Sequence, residues 1–238
     1  MTTTSPQEVI ERAKGGKGPS ASKLLGKEIK DWWIIIMRPL EDYLIQKRIH
    51  PNVLTLTSLI VCIISAYLFH RGLILLGGIV MLAGANFDML DGRVARALDV
   101  HSPYGAFLDS CLDRFAEMFI YLGLLSYFRD SWVFYAVFLS LGGSLMISYT
   151  RARAESLGVD CEVGIMQRTE RIVYIGGGAV FNFIVDRVLM AFGAPPGDWL
   201  LKLTIVLILV LSYYTAIQRM IYVMKKLNEG SSHKIHDA

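Results

Sequence analysis

Hydrophobic residues in this chain form long stretches separated by short polar breaks. From Pro51 onward there are six such stretches. Each is close to the roughly 20 residues that a helix needs to cross the hydrocarbon core of a bilayer. The stretches are Val53–His70, Leu73–Arg96, Tyr104–Tyr127, Trp132–Arg153, Ile172–Met190 and Trp199–Met224. The pattern predicts an all-α integral membrane protein with six transmembrane helices.

The segment before these stretches has a different pattern. Between Lys23 and Arg38, apolar residues recur at helical spacing with charged residues between them, and the longest uncharged run is Trp32–Met37. That run is too short to span a bilayer, and tryptophan favours the depth of the lipid headgroups. We therefore expect an amphipathic helix lying at the membrane interface, broken by Pro39 and followed by a second short amphipathic piece.

These patterns divide the chain into four parts. Residues 1–22 are predicted to be a disordered polar tail, and residues 23–50 an interfacial amphipathic segment. Residues 51–227 form the predicted six-helix transmembrane domain, which would be the catalytic part. Residues 228–238 are a polar C-terminal tail.

Composition supports a membrane protein. Apolar residues make up 53% of the 238 residues, and the formal net charge is only +3, so nothing in the composition indicates nucleic-acid binding. The three cysteines, Cys62, Cys111 and Cys161, are an odd number without metal-ligand spacing, which indicates free thiols. The polar N-terminus has no hydrophobic region of the kind found in a signal peptide.

The basic residues predict an orientation. With six spans, 20 of the 24 Lys and Arg residues fall on the side of the N-terminus. By the positive-inside rule, both termini and the loop between the second and third spans are therefore expected to face the cytoplasm. The residues on the opposite side are Arg71, Arg129, Arg187 and Lys202.

Four aspartates on the second and third spans carry the candidate chemistry. Asp88 and Asp91 project about 60° apart on one helix, and Asp109 and Asp113 about 40° apart on the next. Two antiparallel helices joined by a short loop can direct all four carboxylates toward one point. Hard divalent cations relieve the repulsion between them, and oxygen ligands suit Mg²⁺ or Mn²⁺. We expect two ions, because one would leave about two negative charges uncompensated.

Small residues beside the aspartates indicate room for a substrate. Gly92 and Ala95 project within about 40° of Asp88, so a flat group such as a nucleotide can approach the backbone there. Arg96, one turn beyond Gly92, is placed to pair with a phosphate. Carboxylate-bound metals beside a bare helix face and an arginine favour phosphate chemistry.

Other interpretations compete with an active site. In one of them the acids pair with Arg93, Arg96 and Arg114 and lock the helix hairpin, but four acids within membrane spans exceed that structural need. A carboxylate-based cation transporter would need acids in the middle of discontinuous spans and inverted repeats. An intramembrane prenyltransferase would place its acidic motifs on helices far apart in sequence.

The run from Asp88 to Asp113 resembles the signature of the CDP-alcohol phosphotransferase family, D-x₂-D-G-x₂-A-R-x₈-G-x₃-D-x₃-D, at all eight specified positions. The resemblance implies a membrane enzyme that transfers the phosphatidyl or archaetidyl group of CDP-diacylglycerol or CDP-archaeol to an alcohol and releases CMP. It also implies a homodimer.

The resemblance implies roles for individual residues. Asp88, Asp91 and Asp109 would be metal ligands, and Asp113 the general base that also binds metal. The remaining implied contacts are those to the CDP group, made by Asn52, Thr55, Asp88, Gly92, Ala95 and Arg96.

The acceptor alcohol is predicted from basic residues near the fourth and fifth spans. On charge alone, Arg151, Arg153 and Arg168 fit two interpretations equally: a clamp for a phosphorylated acceptor, or ordinary flanking charges. The runs Ser148–Glu155 and Arg168–Arg171 are similar to phosphatidylinositol-phosphate synthases and archaeal lipid inositol-phosphate synthases, which favours inositol phosphate. Cys111 and Thr169 depart from that branch. Glycerol 3-phosphate, inositol and serine remain alternative acceptors.

Overall fold

The computed structural model describes residues 27–100 and 102–236, and these residues form seven α-helices with no strand. The predicted disordered tail, 1–22, lies outside the described residues, as do the first residues of the interfacial segment. The helices are α1 Lys27–Gln46, α2 Pro51–His70, α3 Ile74–Ala97, α4 Pro103–Tyr127, α5 Val133–Ser156, α6 Arg168–Ala191 and α7 Trp199–His236.

Five of these helices are long and apolar enough to cross a membrane: α2, α3, α5, α6 and the part of α7 up to Glu229. Helix α4, at 25 residues, matches the third predicted span in length. It differs in composition because it contains Asp109, Asp113, Arg114 and Glu117. The all-helical membrane architecture is therefore confirmed for the described residues, and five spans are supported by both length and composition.

The interfacial segment differs from its prediction at Pro39, which was expected to break the helix. Instead α1 continues through Pro39 to Gln46. The turns after the proline carry the buried residues Glu41, Leu44 and Ile45. Packing of an apolar face contributes more to helix stability than local propensity, so these contacts offset the hydrogen bond that proline cannot donate.

The C-terminal residues, predicted to be a polar tail, continue the last helix. Helix α7 continues to His236, so nearly all of the predicted polar tail has a helical backbone. Lys226 Nζ lies 3.3 Å from Glu229 Oε2, one turn away. Such pairs between oppositely charged residues stabilise an exposed helix end by a few tenths of a kcal/mol.

The described chain divides into two compact units, one ending at Tyr127 and the other beginning at Phe128. In the first unit α2 packs against both α3 and α4, and α1 packs against α3. In the second unit α7 packs against both α5 and α6. All four aspartates of the sequence motif belong to the first unit, and the three candidate acceptor arginines belong to the second.

Helix α2 begins at Pro51, which is pre-organised for the first helical position. His50 precedes it as the N-cap, and its Nδ1 accepts a hydrogen bond from the Asn52 backbone N–H at 3.2 Å. These local signals fix where α2 starts, and they place Asn52 and Thr55 in its first turns.

Helices α2 and α4 approach each other closely at Gly123. A Cβ atom at this position would lie 2.4 Å from the Ala66 carbonyl oxygen and 2.8 Å from the Ala66 Cα. Small residues allow such close approach between membrane helices, and backbone atoms cannot move aside as a flexible side chain does. Gly123 therefore sets the distance between the helix that carries Asp109 and Asp113 and the central helix of the unit.

We expect Gly123→Ala to lower the thermal unfolding temperature of the purified protein, because overpacking costs about 1–3 kcal/mol. The measurement is a thermal melt in detergent. Gly177→Ala is the matched control: no atom lies within 4 Å of the Cβ it would add, so its melting temperature should not fall. Equal melting temperatures for Gly123→Ala and the wild type would contradict the close packing.

Candidate active site

Three of the four predicted aspartates form one cluster. One carboxylate oxygen each from Asp88, Asp109 and Asp113 lies within 4.8 Å of the other two, and all three side chains are half-buried. Asp88 comes from α3, and the other two come from successive turns of α4. Since α2 packs on both helices, it is the element that holds the two halves of the cluster in place.

Asp91 has a different environment from the other three. It is only 5% exposed, and its Oδ2 accepts a 2.7 Å hydrogen bond from the Thr55 hydroxyl of α2. Thr55 Oγ1 also lies 3.2 Å from the Pro51 carbonyl oxygen. A hydroxyl has a single proton to donate, and the contact to Asp91 is the shorter and therefore the stronger of the two. Thr55 therefore orients the Asp91 carboxylate.

The three arginines closest in sequence to the aspartates are placed differently from one another. Arg93 pairs with Glu41 of α1, with Nη2–Oε2 and Nε–Oε2 distances of 2.7 and 2.9 Å. Arg114 donates a hydrogen bond to the Ser110 carbonyl oxygen on its own helix. Arg96 is exposed, and its Nη1 would lie 3.5 Å from a Cβ at Gly92.

Two of the predicted nucleotide residues, Gly92 and Ala95, lie on a partly exposed face of α3 within two turns of Asp88. Gly92 and Ala95 are half-buried on α3, and apart from Arg96 Nη1 no atom lies within 4 Å of a Cβ built at Gly92. This confirms that the helix is bare at Gly92. At the start of α4, a Cβ on Gly105 would lie 3.6 Å from Asn52 Oδ1, so the structure brings Asn52 next to that helix.

The candidate acceptor arginines occupy one end of α5 and the beginning of α6. Arg151 Nε donates a 2.8 Å hydrogen bond to Glu155 Oε1, and about half of each side chain is exposed. Arg153 is exposed, and Arg168 is half-buried as the first residue of α6. The backbone N–H of Gln167 donates to Glu170 Oε2 at 3.0 Å, which fixes the start of that helix. The Arg151–Glu155 pair is the contact expected of flanking charges.

Two arginines to which the sequence analysis assigned no individual role, Arg171 and Arg219, are almost completely buried. Arg219 is 3% exposed and donates 2.8 Å hydrogen bonds to the carbonyl oxygens of Val163 and Ile147. Arg171 is 1% exposed, and its Nη1 lies 3.3 Å from the Met166 carbonyl oxygen. Both hold the loop between α5 and α6. Their position near the ends of apolar helices gave no signal that separated them from surface charges.

The same loop contains Cys161, which is completely buried. Burial raises the pKa of this thiol, and the charge of Arg219 opposes that rise. Cys62, Cys111 and Cys161 form no disulfide bond, as predicted.

The fold and the cluster define the class of protein: a helical membrane protein with a carboxylate site suited to divalent cations. The model of the CDP-alcohol phosphatidyltransferase family matches residues 48–226. The chain belongs to this family.

The chain is similar to proteins with named activities. It is 35% identical to archaetidylinositol phosphate synthase of Methanothermobacter thermautotrophicus over 73% of this chain and 83% of the relative. It is 32% identical to phosphatidylinositol phosphate synthase of Streptomyces avermitilis, over 95% and 93% of the two chains.

The chain is also similar to solved structures of a phosphatidylinositol phosphate synthase. The crystal structure of the Mycobacterium tuberculosis phosphatidylinositol phosphate synthase with CDP-DAG bound has a TM-score of 0.67 and 30% identity, covering 79% of this chain and 94% of that one. The structure of the same enzyme with manganese and citrate also has a TM-score of 0.67, at 29% identity, covering 78% and 88% of the two chains.

Family membership settles the class of chemistry. The protein is an integral membrane transferase that uses a CDP-linked lipid as donor and an alcohol as acceptor in phospholipid synthesis. The cation transporter and the prenyltransferase considered from the sequence are therefore not its function. The carboxylate cluster, together with the manganese complex of the relative, indicates binding of divalent metal ions.

Proposed function

We propose that the protein transfers the phosphatidyl or archaetidyl group of a CDP-linked lipid to a hydroxyl of inositol phosphate and releases CMP. The acceptor oxygen forms a bond to the phosphorus of the lipid phosphate as the bond from that phosphorus to the CMP oxygen breaks. The observation that carries the proposal is the cluster of Asp88, Asp109 and Asp113 in a chain whose relatives are named inositol phosphate synthases.

The donor set fits a hard divalent cation. Three carboxylate oxygens within 4.8 Å of one another would repel strongly without one, and oxygen ligands are those that Mg²⁺ and Mn²⁺ prefer. We assign Asp88, Asp91, Asp109 and Asp113 as ligands of two Mg²⁺ ions, for which Mn²⁺ can substitute. When bound, these ions neutralise pyrophosphate charge and polarise the phosphorus–oxygen bonds.

The chain itself supplies the base and the nucleotide site. Asp113 is assigned to accept the proton of the acceptor hydroxyl, since a carboxylate near the reacting oxygen can remove it as the bond forms. The CDP group would lie along the accessible face of α3 formed by Gly92 and Ala95, with Arg96 on its phosphates and Asp88 alongside. Asn52 and Thr55 line the same region from α2.

The membrane arrangement completes the proposal. Helix α4 carries charged site residues, but its 25 residues reach about 37 Å, so it would cross the membrane as the third of six spans. Helix α1 would lie at the interface, with exposed Ile35, Ile36 and Tyr43 available to lipid. Both termini and the carboxylate cluster would face the cytoplasm, residues 51–227 would act as one catalytic domain, and the protein would function as a homodimer.

An acceptor screen tests the proposed activity. Purified protein, radiolabelled CDP-diacylglycerol or CDP-archaeol, and Mg²⁺ are incubated with inositol phosphate, inositol, glycerol 3-phosphate or serine, and CMP release and lipid product are measured. We expect inositol phosphate to give the highest kcat/KM. Preference for an unphosphorylated alcohol in direct competition would overturn the acceptor assignment and leave CDP-alcohol transfer in place.

A phosphate clamp predicts a specific kinetic effect of three substitutions. Replacing Arg151, Arg153 or Arg168 with Ala should each raise the KM for inositol phosphate about ten- to a hundredfold, since a hydrogen bond to a charged partner contributes about 1.5–3 kcal/mol. The KM for the CDP-lipid should change little.

Controls separate the clamp from a role as flanking charges. Lys in place of each Arg should recover only part of the loss, because Lys lacks the planar guanidinium fork. Arg129→Ala, at an exposed arginine paired with Asp130, is expected to behave like the wild type. Lower insertion or stability with an unchanged acceptor KM would favour the flanking-charge interpretation.

The hydrogen bond from Thr55 to Asp91 predicts a further effect. Thr55→Val should raise the Mg²⁺ concentration needed for half-maximal activity about tenfold, because groups that orient metal ligands affect metal affinity on this scale. Thr55→Ser retains the hydroxyl and should remain close to the wild type. Thr57→Val is the control on the same helix: Thr57 Oγ1 donates only to the Val53 carbonyl oxygen, at 2.7 Å. Identical Mg²⁺ dependence of the two Val variants would contradict this role.

A further inference from the structure

A buried ion pair joins the interfacial helix α1 to the aspartate-bearing helix α3. Glu41 is 3% exposed, and the Nη2 and Nε atoms of Arg93 lie 2.7 and 2.9 Å from the same oxygen, Oε2. The guanidinium side chain is 18% exposed. Arg93 occupies one of the unspecified positions of the sequence motif, so the motif assigns no role to it.

The ion pair lies on the opposite face of α3 from the metal-binding carboxylates. At 100° per residue, Arg93 projects about 140° from Asp88 and about 160° from Asp91. A buried apolar cluster that spans α1, α2 and α3 surrounds the same region. Its members are Leu44, Ile45, Leu54, Leu90, Val94 and Ala97.

Apolar packing alone sets the rotation of a helix less sharply than a hydrogen-bonded ion pair. Hydrophobic contacts are non-directional, whereas the hydrogen bonds of an ion pair have narrow preferred distances and angles. A rotation of α3 by about 20° would move a side chain about 5–6 Å from the helix axis by about 2 Å. Metal–ligand distances tolerate only about 0.2 Å, so a rotation of this size would remove Asp88 from a shared ion.

We propose that the ion pair between Glu41 and Arg93 fixes the rotation of α3 about its axis and thereby holds Asp88 within reach of the carboxylates of α4. Glu41 and Arg93 are then positioning residues: neither contacts the substrates, and both act through the α3 backbone. Rotation of α3 would separate a buried carboxylate from its partner, which is strongly unfavourable. The inference rests on the proposed role of the aspartates as metal ligands.

The test measures Mn²⁺ binding to the purified full-length protein in detergent by electron paramagnetic resonance, without substrates. The variants are Glu41→Gln, Arg93→Gln and the exchange Glu41→Arg/Arg93→Glu. Asp42→Asn is the matched control, since it removes the same charge at the next position of α1. Size-exclusion chromatography gives the folded fraction of each variant, and CMP release gives the Mn²⁺ concentration for half-maximal activity.

We expect each single variant to weaken Mn²⁺ binding per folded molecule about tenfold, the scale found for residues that orient metal ligands. The exchange variant should recover most of this loss, and Asp42→Asn should bind like the wild type. Unchanged affinity in the single variants, with only less folded protein, would overturn the proposal. So would an exchange variant no better than the singles, or an equal loss in Asp42→Asn. A wild type that binds no Mn²⁺ would instead overturn the ligand assignment itself, and the positioning role with it.

Discussion

Asn in place of Asp88, Asp91 or Asp109 is expected to abolish turnover. Each substitution keeps the size of the side chain but removes one negative charge from a site for hard divalent cations, which depend on charged oxygen ligands. Asp88 and Asp109 are members of the carboxylate cluster, and Asp91 is held beside it by Thr55. The measurement is CMP release with CDP-lipid and acceptor over a range of Mg²⁺ concentrations.

The three substitutions are expected to differ in their secondary effects. Asp88→Asn and Asp109→Asn reduce repulsion within the cluster, so the thermal stability of the metal-free protein should not fall. Asp91→Asn gives the Thr55 hydroxyl a neutral amide oxygen as acceptor in place of a carboxylate, at a position that is only 5% exposed, so of the three variants this is the one expected to lose stability. Asp130→Asn, at an exposed acid, is the control and should retain full activity. Near wild-type turnover at saturating Mg²⁺ in any of the three variants would remove that residue from the ligand set.

Asp113→Asn is expected to lower kcat by about 100-fold or more, the usual scale for loss of a positioned general base. The acceptor hydroxyl must lose its proton as it attacks phosphorus, and an amide cannot accept it. CDP-lipid binding should be less affected than kcat. Single-turnover measurements of product formation, together with equilibrium binding of CDP-lipid, separate the two effects.

A second measurement distinguishes a base from a ligand at Asp113. The residue lies within the carboxylate cluster, so its substitution is also expected to weaken metal binding. If saturating metal restores full turnover to Asp113→Asn, then Asp113 is a ligand only and another group accepts the proton. A kcat that remains low at saturating metal supports the role of base.

The sequence predicted the parts of the site that depend on local geometry. The spacing of Asp109 and Asp113 by one helical turn, and the position of Asp88 on the preceding helix, were sufficient to predict that their carboxylates come together. The sequence also predicted the bare surface at Gly92, because the absence of a side chain is a property of the residue itself. Length and hydropathy gave five of the spans directly.

Long-range pairings were outside the reach of the sequence patterns. Thr55 and Asp91 are 36 positions apart, and Glu41 and Arg93 are 52 apart. No periodic pattern links residues at such separations. Thr55 was expected as a nucleotide contact, whereas its hydrogen bond in the structure shows that it orients a carboxylate. The burial of Arg219 could not be predicted from the sequence either, because its partners are main-chain carbonyl oxygens, which every residue carries.

The sequence by itself determined the membrane-spanning helices and the convergence of three aspartates, because bilayer thickness and helical periodicity act on consecutive residues. Only the tertiary structure decided that α1 continues through Pro39, that Asp91 is buried against Thr55, and that Arg93 faces Glu41. These features depend on which helix faces pack together. Packing brings residues from distant positions into contact. Burial and the pairing of buried polar groups stabilise these contacts.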